Sequence, residues 1–287
     1  MTQKQTLVMG AVAYAPKVVT IWEGFKQFFE DHGLPFDFVL YSNYERQVEA
    51  MFDGSIHVAW NSPLAWLRAE RMGKALGKPV HTIAMRDTDC DLTSLLVVRA
   101  DSGIGQLADL RGKTVAVGAV DSPQATLLPL YHLHRAGLVA GQDFQVQRHD
   151  LLGGKHGDHI GGEREAVRAL LAGQADAACM IAGNHLLFTS EGTIPAGATR
   201  ILAQTPLYDH CNFTVAADAP EALVAHMRDL LLGMSWEDPV LRPLLELEGL
   251  KQWLPGRVEG YRDLDAAVDV FGFYDPQGNI TCADYRY

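Results

Sequence analysis

Several things are scarce in this sequence of 287 residues. Its four cysteines (Cys90, Cys179, Cys211 and Cys282) lie far apart with no CxxC spacing, which leaves thiols or a single disulfide. No apolar run approaches the length needed to span a bilayer; stretches such as 94–98 and 230–232 are far too short. Positive charge is in deficit. A net charge of −11 and a pI near 5.4, with no basic stripe, exclude nucleic acid as the expected partner. Neither a dinucleotide fingerprint, nor a phosphate-cradling glycine motif, nor a Ser-His-Asp signature is present. Residues 1–5 run directly into an apolar stretch at 6–10, without an apolar leader or cleavage site. The expected localisation is therefore periplasmic if a leader has been removed ahead of Met1, and cytoplasmic if Met1 is the natural start.

What is there is ordinary globular composition, 48% hydrophobic and 21% charged, enough for two modest domains or one large one. Short apolar runs at 6–10, 36–41, 56–60, 80–85 and 92–98 alternate with helical patterns at 17–32, 43–52 and from 63 to about 72. Beyond a polar, glycine-containing stretch at 99–105, strands are expected at 114–117, 144–149, 175–181, 199–204 and 212–216. Helices are expected from Pro123 onward and at 164–173, 221–235 and 238–247, and the tail from 261 reads as mixed. Strand–helix alternation of this kind predicts doubly wound α/β lobes. The first lobe is expected over 1–98 plus 206–287 and the second over 99–205. A two-segment hinge would join them, with a ligand cleft between the lobes.

Two turns share one grammar. Asn61-Ser62-Pro63 follows the strand at 56–60, and Asp121-Ser122-Pro123 follows the strand at 114–117. In each, the serine hydroxyl can cap a helix whose first position suits proline. A helix N-terminus beyond the carboxyl end of a buried strand favours a small anion.

The stretch 107–117, LADLRGKTVAV, is similar to the second-lobe opening of type II periplasmic binding proteins. The similarity is greatest to the phosphonate/phosphate-type substrate-binding proteins of ABC importers. VAWNSPLAW at 58–66, LPLY at 128–131, AVRAL at 166–170, GQADA at 173–177 and the helix at 221–233 match in the same order. The resemblance implies two α/β lobes and a small phosphonate-like or other small anionic or polar ligand. It implies no cofactor and an ABC permease as partner. This chain departs from the family at 121–126, DSPQAT, where relatives carry a Ser/Thr-rich run. Pro123 removes one amide, and Asp121 places negative charge near a bound anion, repelling it by about 1 kcal/mol at 4 Å in water and more in a drier cleft.

The ligand-binding residues expected on these grounds are Tyr14, Asn61, Ser62, Thr93, Ser122, Thr126, Lys155, His156, His159, Asn184 and His185. For Ser62 and Ser122 helix capping is the competing role, and for Tyr14 a surface loop. The segment 148–163 concentrates histidine, aspartate, lysine and glycine. His156, Asp158 and His159 could ligate a transition metal, although HxxH is unspecific and glycine-rich loops of this kind usually only solvate. No resident metal is expected. The alternative function is a cytosolic enzyme on the same scaffold, of lyase, decarboxylase or cofactor-biosynthesis type, using the His/Asp loop at 149–163. Its catalytic candidates are His156, Asp158, His159 and His210, the last paired with Asp209.

Overall fold

The computed structural model describes residues 5–151, 153–157 and 161–287. The apolar runs become strands and the amphipathic stretches helices. β1 (Leu7–Val12), α1 (Lys17–Asp31), β2 (Phe36–Tyr41), α2 (Tyr44–Phe52), β3 (Val58–Asn61), α3 (Pro63–Leu76) and β4 (His81–Arg86) come first. β5 (Ser94–Arg99), β6 (Thr114–Val117), α4 (Leu128–Arg135), β7 (Gln145–Arg148), α5 (Glu163–Leu171), β8 (Ala177–Ile181), α6 (Ala182–Ser190) and β9 (Thr199–Gln204) follow. Then come β10 (Asn212–Val215), α7 (Glu221–Gly233), α8 (Arg242–Glu248), β11 (Trp253–Pro255) and α9 (Arg262–Phe271).

The chain divides into two compact units. The first takes residues up to Cys90, Asp209–Tyr261 and Tyr274–Thr281; the second takes Asp91–Tyr208, Arg262–Phe273 and Cys282–Tyr287. The passage between units therefore comes near residue 91 rather than 99, because β5 belongs to the second sheet. The tail is shared for two reasons. Phe271 packs against the second unit's core. Residues 274–278 are held to the first unit by buried arginines of α3: Arg68 donates to Gly278 O at 3.1 Å and Arg71 to Tyr274 O at 3.1 Å.

In the first unit the sheet runs β11-β4-β10-β3-β1-β2. β1 is parallel to β2 and β3, while β10 runs antiparallel between β3 and β4. The second unit's sheet runs β7-β6-β8-β5-β9, with β5 antiparallel to both neighbours. The reversed strand puts its start at the carboxyl edge of the others: Asn212 pairs with Asn61, and Ser94 with Ile181. Each carboxyl edge thus gathers loops from parallel strands and the starts of the reversed ones, β10 and β11 in the first sheet and β5 in the second, the place where α/β sheets bind ligands.

Apolar packing fixes both edges. Trp22 and Phe25 of α1 meet Trp60, Phe213 and Trp253 of the sheet as a buried aromatic cluster. The second sheet is covered on one face by Val167 and Leu170 of α5, and on the other by Leu130 and Leu133 of α4. α3 begins as its sequence predicts: Ser62 Oγ accepts from Ala65 N at 3.2 Å, and Pro63 occupies the first turn.

Candidate functional site

At the first unit's carboxyl edge, β3 delivers Asn61 and Ser62, both wholly buried. Asn61 Oδ1 accepts from Gln47 Nε2 at 2.8 Å, so that side chain is committed to the scaffold. Tyr14 is half-buried beyond β1, partly packed on the aromatic core. Where β4 ends, Arg86 places Nε 2.5 Å from Asp89 Oδ2 and its other nitrogen 3.0 Å from Oδ1; it also reaches Glu248 Oε1 at 3.2 Å and lies over Trp60. Burial alone would raise the Asp89 carboxyl, but Arg86 and His210 overcome it and hold it down at about 2.

His210 does not pair with Asp209, as its sequence neighbour suggested. Its Nδ1 lies 3.3 Å from Asp89 Oδ1 and 3.1 Å from Cys211 Sγ. The Asp209 carboxylate is taken bidentately by Arg257 at 2.6 and 2.7 Å, because successive residues of an extended segment point to opposite sides. Asp89, His210 and Cys211 hold three donor atoms within 4.8 Å of one another. Arg86 occupies both carboxylate oxygens, so a cation there would have to displace a guanidinium.

The second unit's carboxyl edge is built around the turn after β6. Ser122 Oγ accepts from Ala125 N at 3.1 Å, and Ser122 O receives both Thr126 N and Leu127 N. The last bond spans five residues and widens the Pro123–Leu127 turn into a π-helical one. Thr126 donates its hydroxyl to Ala119 O at 2.7 Å. The anion cradle expected here is thus largely self-satisfied, and the Ser122 side chain is itself wholly buried, packed against Gly157.

Asp121 is buried and turned into the neighbouring loop: its Oδ2 accepts from Gly154 N at 2.9 Å and His156 N at 3.0 Å. This carboxylate therefore organises the 153–157 loop, a role the sequence reading did not give it. Gly157 lies against Ser122 at a φ of +70°, where a Cβ would strike the serine side chain. Lys155 is half-buried and His156 wholly buried, with its ring 6.4 Å from that of Tyr285. Asp158 and His159 lie outside the described residues, so the proposed metal and catalytic roles that depend on them have no geometry here.

β8 and α6 complete the edge. Asn184 Nδ2 donates to Glu163 Oε2 at 2.8 Å; His185 Nε2 meets Thr199 Oγ1 at 3.2 Å, and burial lowers the imidazole's affinity for a proton. The Thr93 carbonyl accepts from Ala182 N at 2.9 Å. Ser94 Oγ sits 2.5 Å from Gln124 O and 2.8 Å from Tyr208 Oη. Glu163, Gln124, Ser94 and Tyr208 were not anticipated. Only the Gly161-Gly162 pair ahead of Glu163 hinted at a tight approach, and Gly162 does abut His149 O at a φ of +89°. Behind the turn, a cavity of about 330 Å³ is lined by Leu127, Leu130, Val146, Phe271 and Phe273, with Arg148 and Cys282 at its polar side.

The family described as ABC transporter, phosphonate, periplasmic substrate-binding protein matches residues 11–261. PhnD1 of Prochlorococcus marinus, solved in complex with methylphosphonate, is 17% identical, with 93% of this chain and 98% of that chain covered and a TM-score of 0.68. A Xanthomonas citri protein bound to ATP is also 17% identical, covering 92% and 97%, with a TM-score of 0.71. The periplasmic aliphatic sulphonate binding protein of Escherichia coli is 16% identical, covering 94% and 87%, with a TM-score of 0.59. Likenesses at this level of identity establish the two-lobed type II periplasmic-binding-protein fold. Among the described residues no helix is long and apolar enough to cross a membrane. With most of its length matched, the chain belongs to the phosphonate-type periplasmic substrate-binding proteins of ABC transporters.

Proposed function

We propose that this protein binds a small oxyanion carrying a single negative charge, a sulfonate or the monoanion of a phosphonate, and presents it to the permease of an ABC importer. Family membership supports small-molecule binding rather than catalysis. The Ser122 turn supports the charge preference. It offers the Ser122 hydroxyl at the carboxyl edge, one N–H is lost at Pro123, and the Asp121 carboxylate lies buried next in sequence. A second negative charge on the ligand would meet that carboxylate at low dielectric, where repulsion is several times its value in water. Ser122 is the proposed hydroxyl donor, with Lys155 and His156 as the proposed flanking contacts.

Titration calorimetry with methanesulfonate, methylphosphonate and inorganic phosphate tests this. Methanesulfonate should bind at least as tightly as methylphosphonate, and phosphate most weakly. Ser122→Ala should weaken binding by ~1.5–3 kcal/mol, as for a hydrogen bond to a charged group. Tighter binding of phosphate than of methanesulfonate, or no binding of any of the three, would overturn the proposal.

A further inference from the structure

The cavity behind the Ser122 turn lies wholly within the second unit. Its volume of about 330 Å³ is enough for a small organic molecule. Separately anchored segments keep its walls apart. Leu127 closes the turn whose amides bond to Ser122 O, and Leu130 stands one turn further on in α4. Val146 and Arg148, two apart on β7 and so on one face, are pinned by parallel pairing with Val115 and Val117 of β6. Phe271 ends α9 and packs on the second unit's core. Phe273 is buried with its ring 5.1 Å from that of Tyr285, and its N–H bonds to Val268 O at 3.0 Å.

The lining decides what would enter. Leucine, valine and phenylalanine side chains exclude a strongly hydrated group and take up apolar molecules from water. At the polar side Arg148 brings the cation of the described lining, beside the half-buried Cys282 thiol. Its Nη1 lies 3.1 Å from Asp284 Oδ2 and its Nε 3.5 Å from Asp150 Oδ2. Two carboxylates already offset one guanidinium, so an acidic end group on the ligand would meet net negative charge. A guanidinium carries more N–H donors than those two contacts use, which suits an uncharged acceptor.

We propose that this cavity is a second ligand site, for an uncharged, largely apolar molecule whose single carbonyl-type oxygen accepts an N–H from Arg148. Its occupant differs in charge and in polarity from a small oxyanion, so the site does not depend on the anion-binding reading above. Val120, Val146, Phe271 and Cys282 are only partly buried, which gives the molecule its way in.

Alkylation of Cys282 by iodoacetamide, read by mass spectrometry of its peptide in the intact protein, reports occupancy at the cavity itself. Cys90 is likewise half-buried but lies in the first unit, and serves as the internal control. The two probes are benzylacetone and hydrocinnamate, which share a shape and differ in a methyl ketone against a carboxylate. The ketone should slow labelling of Cys282 in a saturable way and leave Cys90 unchanged. Half-protection by the carboxylate should need a concentration at least about tenfold higher, because it adds a charge beside Asp150 and Asp284. Val146→Phe puts a ring into the cavity and should abolish the protection. Arg148→Met removes the donor and should weaken the ketone by about tenfold or more, as for a hydrogen bond to a charged group, which keeps the test open if Val146→Phe fails to fold. No protection of Cys282 at millimolar ketone, equal slowing of Cys90, a carboxylate that protects as tightly as the ketone, or a ketone affinity that either variant leaves unchanged would sink the proposal.

Discussion

Glu163 and Asp89 are both buried carboxyls, and their surroundings move them in opposite directions. Among the described residues Glu163 meets neutral donors, so burial dominates and its folded value lies above its ordinary one, at about 8 against 4.5. Between those values the folded protein holds a proton that the unfolded chain has released. Stability therefore falls as pH rises through that window, by up to ~1.4 kcal/mol per pH unit, and levels off above it. Denaturant melts across the window should show this slope in the wild type and lose it in Glu163→Gln. Asp89 has Arg86 beside it and lies below its ordinary value, at about 2 against 3.8. Its contribution is present above the ordinary value and disappears as pH falls towards the folded one. Asp89→Asn should remove this acid limb and cost about 3 kcal/mol at neutral pH, since among the described residues Arg86 then keeps Glu248 alone as a salt-bridge partner. A loss under about 0.5 kcal/mol, the range of ordinary surface substitutions, would contradict it. The serine caps were legible because hydroxyl and proline are local signals. The Asp89–His210 and Glu163–Asn184 relations were not, since each joins residues far apart in sequence and a carboxylate at a helix start looks the same whether exposed or buried.

The turn after β6 and the 153–157 loop form one structural piece, joined by Asp121 and by Gly157 against Ser122. Gly157→Ala combines a left-handed backbone with a collision at Ser122 and should cost at least ~2 kcal/mol. Gly192→Ala has a similar φ, +83°, but nothing within 4 Å of the added Cβ, and should cost only about 1 kcal/mol. Equal losses in the two variants, measured by chemical denaturation, would show that backbone conformation alone governs both. At this scale the sequence predicted most elements to within a few residues, because strand and helix periodicities are local. It missed α6, whose opening Ala182-Gly183-Asn184 carries no strong helix signal and whose buried anchor is Phe188. It also read the Pro123–Leu127 turn as ordinary helix, although the π-type bond from Leu127 to the Ser122 carbonyl widens it.

At the scale of the whole molecule, family order was legible because short matches fall in one sequence along most of the chain, even though none is specific alone. The division of the tail was not, since it depends on which surface each short piece finds. After Tyr261 the chain supplies α9 to the second unit, 274–281 to the first, and its last residues to the second again. Phe271 packs on one core, while Arg68 and Arg71 of the other unit are buried against carbonyls at 274–278. Ending the chain after Tyr261 should therefore damage both units together. It would strip an apolar cover from the second and leave two buried guanidiniums in the first without those acceptors, each worth about 1.5–3 kcal/mol as a hydrogen bond to a charged group. Limited proteolysis of the truncated protein should find new cleavage sites on both sides of the passage at Cys90 and Asp91. A first unit as protease-resistant as in the full chain would mean that Arg68 and Arg71 find other acceptors, and that the tail stabilises only the second unit.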